Sequence, residues 1–271
     1  MNNRRVECQR GLGLLELLIT LGLFSVVGLL SYSFLTYGVR MGQRVESASD
    51  VAGILRKAQF PLQSDLLLAH RGEVVILSVP DQVGGGGFTS EALAFRSAID
   101  PETGVFCQKP DGTPLWQKTI LYYLAVPSQH DSLFGQSCAG GAEGTGFDDR
   151  CPHKFLIRKV IDNPPATTPT SSPEAEEPLP TDLSSYLTQP TTFDLGSMSG
   201  EPGLIEARLV AQPLLWFQVA TDPSGSLPGE VEIDLRALMI SDARRKLNVG
   251  SVSLLNDPLV LQHLFTVLPL N

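Results

Sequence analysis

The chain has 271 residues and a formal charge of -9, with 20 Lys and Arg against 29 Asp and Glu. Length sets one or two domains, and the acidic balance argues against a dedicated nucleic-acid binder, which needs clustered cations to meet phosphate. A charged fraction of 18% is too low for charge-driven disorder of the whole chain, and four cysteines are too few for a disulfide scaffold.

The N-terminus is asymmetric. Arg4, Arg5 and Arg10 stand against Glu7, and between Arg10 and Arg40 the one side chain that ionises, two tyrosines aside, is Glu16. The apolar run Leu12–Val39 has 28 residues, longer than the roughly 20 needed to cross a bilayer as a helix. Basic residues precede it, so the N-terminus is expected in the cytoplasm and the remainder outside. A cleaved secretory signal would have an apolar core of about 7–15 residues followed by a small-x-small site. This run is longer and lacks such a site. A lipoprotein signal is disfavoured because Cys8 precedes the run. Glu16 needs an explanation, since a carboxylate in a spanning helix costs several kcal/mol unless paired or neutralised.

Residues 10–21 read RGLGLLELLITL. This resembles the class III signal of type IV prepilins, in which a short basic leader ends in Gly, an apolar residue follows, and Glu stands fifth in the mature chain. Gly11 matches the last leader residue, Leu12 the new N-terminus and Glu16 the fifth position. Leu14, Leu15, Leu17, Leu18 and Ile19 match the apolar surroundings. The sequence departs from the family at Leu12, where Phe or Met is more usual, and at Gly13, where Thr or Ser is. The resemblance implies cleavage after Gly11 by a prepilin peptidase and N-methylation of Leu12. Loss of three Arg and one Glu would take the formal charge from -9 to -11. It also implies that the Glu16 carboxylate pairs, in a filament, with the Leu12 amine of a neighbouring subunit.

Beyond Val39 the pattern becomes amphipathic. Met41, Val45, Ala48, Ala52 and Leu55 make one apolar helical stripe at 4-3-4-3 spacing, expected to lie against a sheet. Pro61 is expected to kink the helix or begin a new one, with Leu62, Leu66 and Leu67 continuing an apolar face. Gly22 and Gly28 weaken the spanning half, which allows local melting on assembly or, the favoured reading, close packing between membrane helices.

The rest reads as β-rich. Strands are expected at 73–79, 92–99, 118–126 and 154–161, the last two pairing across a long loop, 127–153. The glycines 84–87 read as a flexible loop, because no phosphate-loop pattern accompanies them. Residues 100–104 (DPETG) read as a turn. Residues 163–202 hold eight prolines and many Ser and Thr, and read as a disordered or loosely packed insertion unable to offset its ordering entropy. Strands return within 204–220, interrupted at Pro213, then at 231–239 and 263–268.

The expected fold class is therefore α+β, with a long N-terminal helix, transmembrane in one half and amphipathic in the other, packed on an antiparallel β-sheet. The segments are a leader 1–11, a membrane and assembly helix 12–39, a stalk helix 40–70, β-rich parts 71–162 and 203–271, and the insertion 163–202. The order of helix, strands, variable loop and closing strands is similar to large minor pilins and J-type minor pseudopilins. The Tyr122–Tyr123 strand, the Arg158–Lys159 pair and the terminal strand carry that likeness. Leu270 departs from it, standing where many relatives have Arg.

Cys138 and Cys151 are the candidate disulfide, closing a 14-residue loop worth roughly 3 kcal/mol in the chain-entropy model. Cys107 is then free, buried, or the true partner of one of them. Zinc bound by Cys138, Cys151 and His153 is disfavoured, because Cys-x-His is an uncommon spacing and a disulfide competes. Glu143, Asp148 and Asp149 lack a calcium-loop pattern and read as a solvated turn. Ser128, His130 and Asp131 lack a nucleophile elbow and do not read as a triad. Arg244, Arg245 and Lys246 read as a solvated basic turn. No metal, cofactor, nucleic-acid partner or enzymatic activity is expected.

The resemblance implies a minor pilin or pseudopilin of a type II secretion or type IV pilus system. Its partners would be other minor and major subunits, the prepilin peptidase and the bacterial inner membrane, with the C-terminal domain in the periplasm. The alternative is a membrane-tethered binding module, an adhesin or DNA-uptake component exported by the same route.

Overall fold

A computed structural model describes residues 13–84, 90–100, 103–135, 137–138, 140, 146–147, 151–162, 176–223, 227–238 and 260–270. The chain divides into two compact units between Ser47 and Ala48. Helix α1, Leu14–Leu67, begins in the first and ends in the second.

Within the second unit, α1 buries Val51, Leu55, Ala58, Leu62 and Leu66, a stripe at 4-3-4-4 spacing that faces one side of the helix. This corrects the expected stripe. Leu55 belongs to it, but Ala48 and Ala52 are half-buried and Met41 and Val45 are exposed. Several helical phases fit the apolar residues of this region, and the larger leucines after residue 54 decide which one is buried. Pro61 lies inside the continuous helix, so no new helix begins there. Its missing N–H leaves the carbonyl of Lys57 without a helical partner. Lys57, Phe60 and Ser64 are exposed, so that carbonyl lies on a side where water can reach it, while Leu62 and Leu66 anchor the turn from the other.

Strands β1 (Ala69–Ser78), β2 (Glu91–Ser97), β3 (Lys118–Ala125), β4 (Lys154–Ile161) and β5 (Leu204–Leu214) form an antiparallel sheet in chain order. Strands β6 (Trp216–Thr221), β7 (Val231–Leu238) and β8 (Val260–Val267) form a second antiparallel sheet. The α+β class is as expected, with two sheets. Pro213 lies within β5, and the break between β5 and β6 falls at Leu215. Short helices α2 (Asp81–Gly84) and α3 (His130–Phe134) lie between strands. Gly84, expected in a flexible loop, is buried, and a Cβ there would stand 2.9 Å from the backbone of Ala125. Only glycine allows that approach. Gly85, Gly86 and Gly87 lie outside the described residues.

The five-stranded sheet is buried on both faces, with period-2 alternation. Leu93, Phe95, Ile120, Tyr122, Leu124 and Leu156 face one core, shared with the α1 stripe and with Phe217, Ile233 and Leu235 of the second sheet. Ala92, Ala94, Leu121, Tyr123, Phe155 and Ile157 face another. That second core is closed by Leu183, Tyr186, Leu187 and Met198. These four belong to the segment 163–202 expected to be disordered or loosely packed, so that expectation is corrected for residues 176–202. Their apolar side chains are irregularly spaced and carry no strand or helix period, yet each lands on the sheet. Residues 163–175 lie outside the described set.

Neighbouring residues of β4 fasten the two layers. The Arg158 Nε donates to Asp65 Oδ2 of α1 at 2.6 Å, and its Nη1 to Glu206 of β5 at 2.8 Å. Tyr122 Oη also donates to Asp65 Oδ2, at 2.6 Å. Burial, and then the Asp65 charge, push the Tyr122 hydroxyl well above its usual range, so it stays a neutral donor. On the other face the fully buried Lys159 ammonium donates to Glu201 at 2.6 and 2.7 Å, to the Tyr186 carbonyl at 2.7 Å and to Thr188 at 2.9 Å. It also lies over the Tyr123 ring, 5.4 Å from its centre.

Removing one member of a mostly buried pair leaves the other uncompensated, at about 3–5 kcal/mol. Asp65→Ala is therefore expected to destabilise the second unit by about 3 kcal/mol, read as a lowered thermal midpoint of Trp116 and Trp216 fluorescence in detergent. A change within experimental error would show that the helix is held by its leucines alone. Lys159→Met should cost a similar amount, and Lys159→Met with Glu201→Met should recover most of it, because no charge is then left buried. Additive losses in that double-mutant cycle would contradict a coupled pair.

Candidate functional site

The first unit presents the long apolar helix expected near the N-terminus. Every large apolar side chain from Leu14 to Val45 is half exposed or more, a continuous surface that water does not tolerate. From Leu14 to Val39 the helix extends about 39 Å at 1.5 Å per residue, more than the roughly 30 Å hydrocarbon layer. Three of its hydroxyls bond within the helix. Thr20 donates to the Glu16 and Leu17 carbonyls at 2.9 Å, Ser25 to Leu21 at 2.8 Å, and Thr36 to Tyr32 and Ser33 at 3.0 Å. Such internal bonds allow polar side chains to enter an apolar medium.

Glu16 is the third residue of the helix, and its Oε2 accepts the Gly13 N–H at 3.3 Å. This is the reach-back half of a capping box, and it places the negative charge where the helix macrodipole favours it. A cap signature is therefore present as well as the charge that the sequence singled out. Gly11 and Leu12, the expected cleavage residues, lie outside the described residues.

Cys138 and Cys151 are bonded, with Cα atoms 5.6 Å apart, and both are fully buried. Cys107 is half-buried, its Sγ 3.9 Å from the Val105 carbonyl. His153 packs beside the disulfide. Burial, and then the neighbouring His130, hold its imidazole down to a pKa of about 4. His130 is brought against the same cysteines, a placement sequence reasoning missed. His130 and Cys151 are 21 residues apart, and no local spacing rule joins them. Ser128 does not assemble with His130 and Asp131 into a triad: its N–H bonds Pro190, and its hydroxyl has no bond to either residue among those described. Glu143, Asp148, Asp149 and the basic cluster 244–246 lie outside the described residues.

No protein-family model, curated protein or solved structure matches the chain. What stands is an α+β chain carrying one helix near its N-terminus that is long and apolar enough to cross a membrane.

Proposed function

We propose that the chain is a minor pilin or pseudopilin, anchored in the bacterial inner membrane and assembled at or near the tip of a type IV filament, where it helps initiate assembly. The supporting observation is the pairing of an apolar helical span, Leu14 to Val39, whose large apolar side chains are all half exposed or more, with a single carboxylate, Glu16, at its first turn. Such a span turns the hydroxyls of Thr20, Ser25 and Thr36 onto its own carbonyls and leaves its apolar surface for lipid, or for the helices of neighbouring subunits. After cleavage at Gly11 the Glu16 carboxylate has a better partner than the Gly13 N–H. The methylated Leu12 amine of a neighbour is a full positive charge, and in a low-dielectric bundle such a pair is much stronger than at a surface. On this reading the N-terminus is cytoplasmic and the second unit periplasmic.

The test is made in cells with and without prepilin peptidase. The mature protein is expected to begin at N-methylated Leu12 only when the peptidase is present. A mature N-terminus before Leu12, or normal maturation without the enzyme, would overturn the reading. Glu16→Ala and Glu16→Gln are expected to insert in the membrane normally but to be lost from sheared filaments. Gln retains the reach-back cap but not the charge, so a filament level restored by Gln would show that capping, and not the charge, is what assembly requires.

A further inference from the structure

Four chemistry-bearing side chains converge at one end of the five-stranded sheet. His130 opens α3, Cys138 follows that helix, and Cys151 and His153 immediately precede β4. All four are buried, and their donor atoms lie within 4.8 Å of one another. His130 Nε2 is 3.1 Å from His153 Nδ1, Cys151 Sγ is 3.5 Å from His130 Nε2, and Cys138 Sγ is 4.0 Å from His153 Nδ1.

Those separations are close to the edges of a tetrahedron around zinc. With metal–nitrogen bonds of about 2.0–2.1 Å and metal–sulfur bonds of about 2.3 Å, the nitrogen–nitrogen edge is about 3.4 Å and the nitrogen–sulfur edge about 3.5 Å. The sulfur–sulfur edge would be about 3.8 Å, and it alone requires a bond to open. The surroundings suit a ligand set. The other ring nitrogen of His130, Nδ1, is 3.1 Å from Asp131 Oδ1, the carboxylate–histidine arrangement that orients a metal-binding imidazole. Phe134 stacks on His153 with ring centres 4.4 Å apart, and Phe147 and Val126 pack against the cysteines. Two thiolates would cancel the charge of a divalent ion inside this apolar shell.

We propose that the disulfide is one of two states of this cluster. In the other, Cys138 and Cys151 are reduced, and His130, Cys138, Cys151 and His153 hold one zinc-type divalent ion in a tetrahedral S2N2 site. A dithiol reductant opens the disulfide: two electrons and two protons pass to Cys138 and Cys151, and the reductant becomes a disulfide. Binding of the ion then releases both thiol protons to solvent. In each state the connection between β3 and β4 is tied down at the start of β4. This inference does not depend on the filament reading.

The test uses the full chain in detergent, in a Cys8→Ser, Cys107→Ser background, so that thiol counts report Cys138 and Cys151 alone. After reduction by a phosphine under anaerobic conditions, Co(II) alone is titrated. One ion per chain is expected, with the intense visible bands of tetrahedral cobalt, sulfur-to-metal charge transfer, and displacement by Zn(II). The oxidised chain is expected to show none of these. Asp131→Ala keeps all four ligands and should weaken binding by about 10–100-fold. His130→Ala should weaken it further while still forming the disulfide on oxidation, which shows that the variant folds. An octahedral cobalt spectrum, no binding by the reduced chain, or equal affinity in a His130→Ala, His153→Ala variant would overturn the proposal.

Discussion

Two adjacent cations on one strand hold three layers together. Because successive residues of β4 point to opposite faces, Arg158 reaches Asp65 on the helix, while Lys159 reaches Glu201 in the segment that covers the other face. Either layer alone could be held by apolar contact. The two ion pairs add a requirement that apolar contact does not impose: each cation has a partner on one face only.

That requirement sets register. A one-residue slip of β4 would exchange the faces of Arg158 and Lys159 and strand both carboxylates. Strand β3 applies the same logic, since Tyr122 bonds Asp65 on the helix side and Tyr123 bonds the Thr188 carbonyl on the other. Tyr122 lies directly opposite Arg158 in the ladder, so hydroxyl and guanidinium converge on one carboxylate oxygen. Buried ion pairs contribute less net stability than their distances suggest, because desolvation opposes them. In a sheet whose two faces are almost uniformly apolar, these polar ties are what distinguishes one face from the other.

Much of this was legible in the sequence, for identifiable reasons. The strand 154–161 is bounded as expected because it is rich in apolar and β-branched residues and the polar His153 and Asp162 flank it. The long N-terminal helix was legible because one apolar run is longer than any soluble strand needs. Three features were legible only in part or not at all. The buried stripe of α1 was read correctly at Leu55, Leu62 and Leu66 but not at Val51 and Ala58, since several spacings fit and only the opposing sheet selects among them. Residues 176–202 read as disordered or loosely packed because proline and serine dominate locally, while Leu183, Tyr186, Leu187 and Met198 are buried one at a time, without a period. The convergence of His130 on Cys151 depends on how the connection between β3 and β4 returns to the sheet, which no spacing within the sequence encodes.

The two units answer the burial problem in opposite ways. In the second, charged groups such as Lys159 and Arg158 are taken out of water and matched to partners within the chain. In the first, the hydroxyls of Thr20, Ser25 and Thr36 bond to carbonyls of the helix itself, and the apolar surface is what lacks a partner. A bilayer and a bundle of like helices are equivalent solvents for such a surface, so transfer from one to the other changes its hydrophobic free energy little. Differential stabilisation must then come from a group that the two environments treat differently. Among the described residues of the span from Leu14 to Val39, the group carrying a full charge is Glu16, capped only by a neutral N–H 3.3 Å away. Lipid offers it no cation, whereas a bundle of processed helices would offer one amine per subunit. On the proposed reading, one carboxylate can therefore bias the helix toward the filament while the leucines around it remain indifferent.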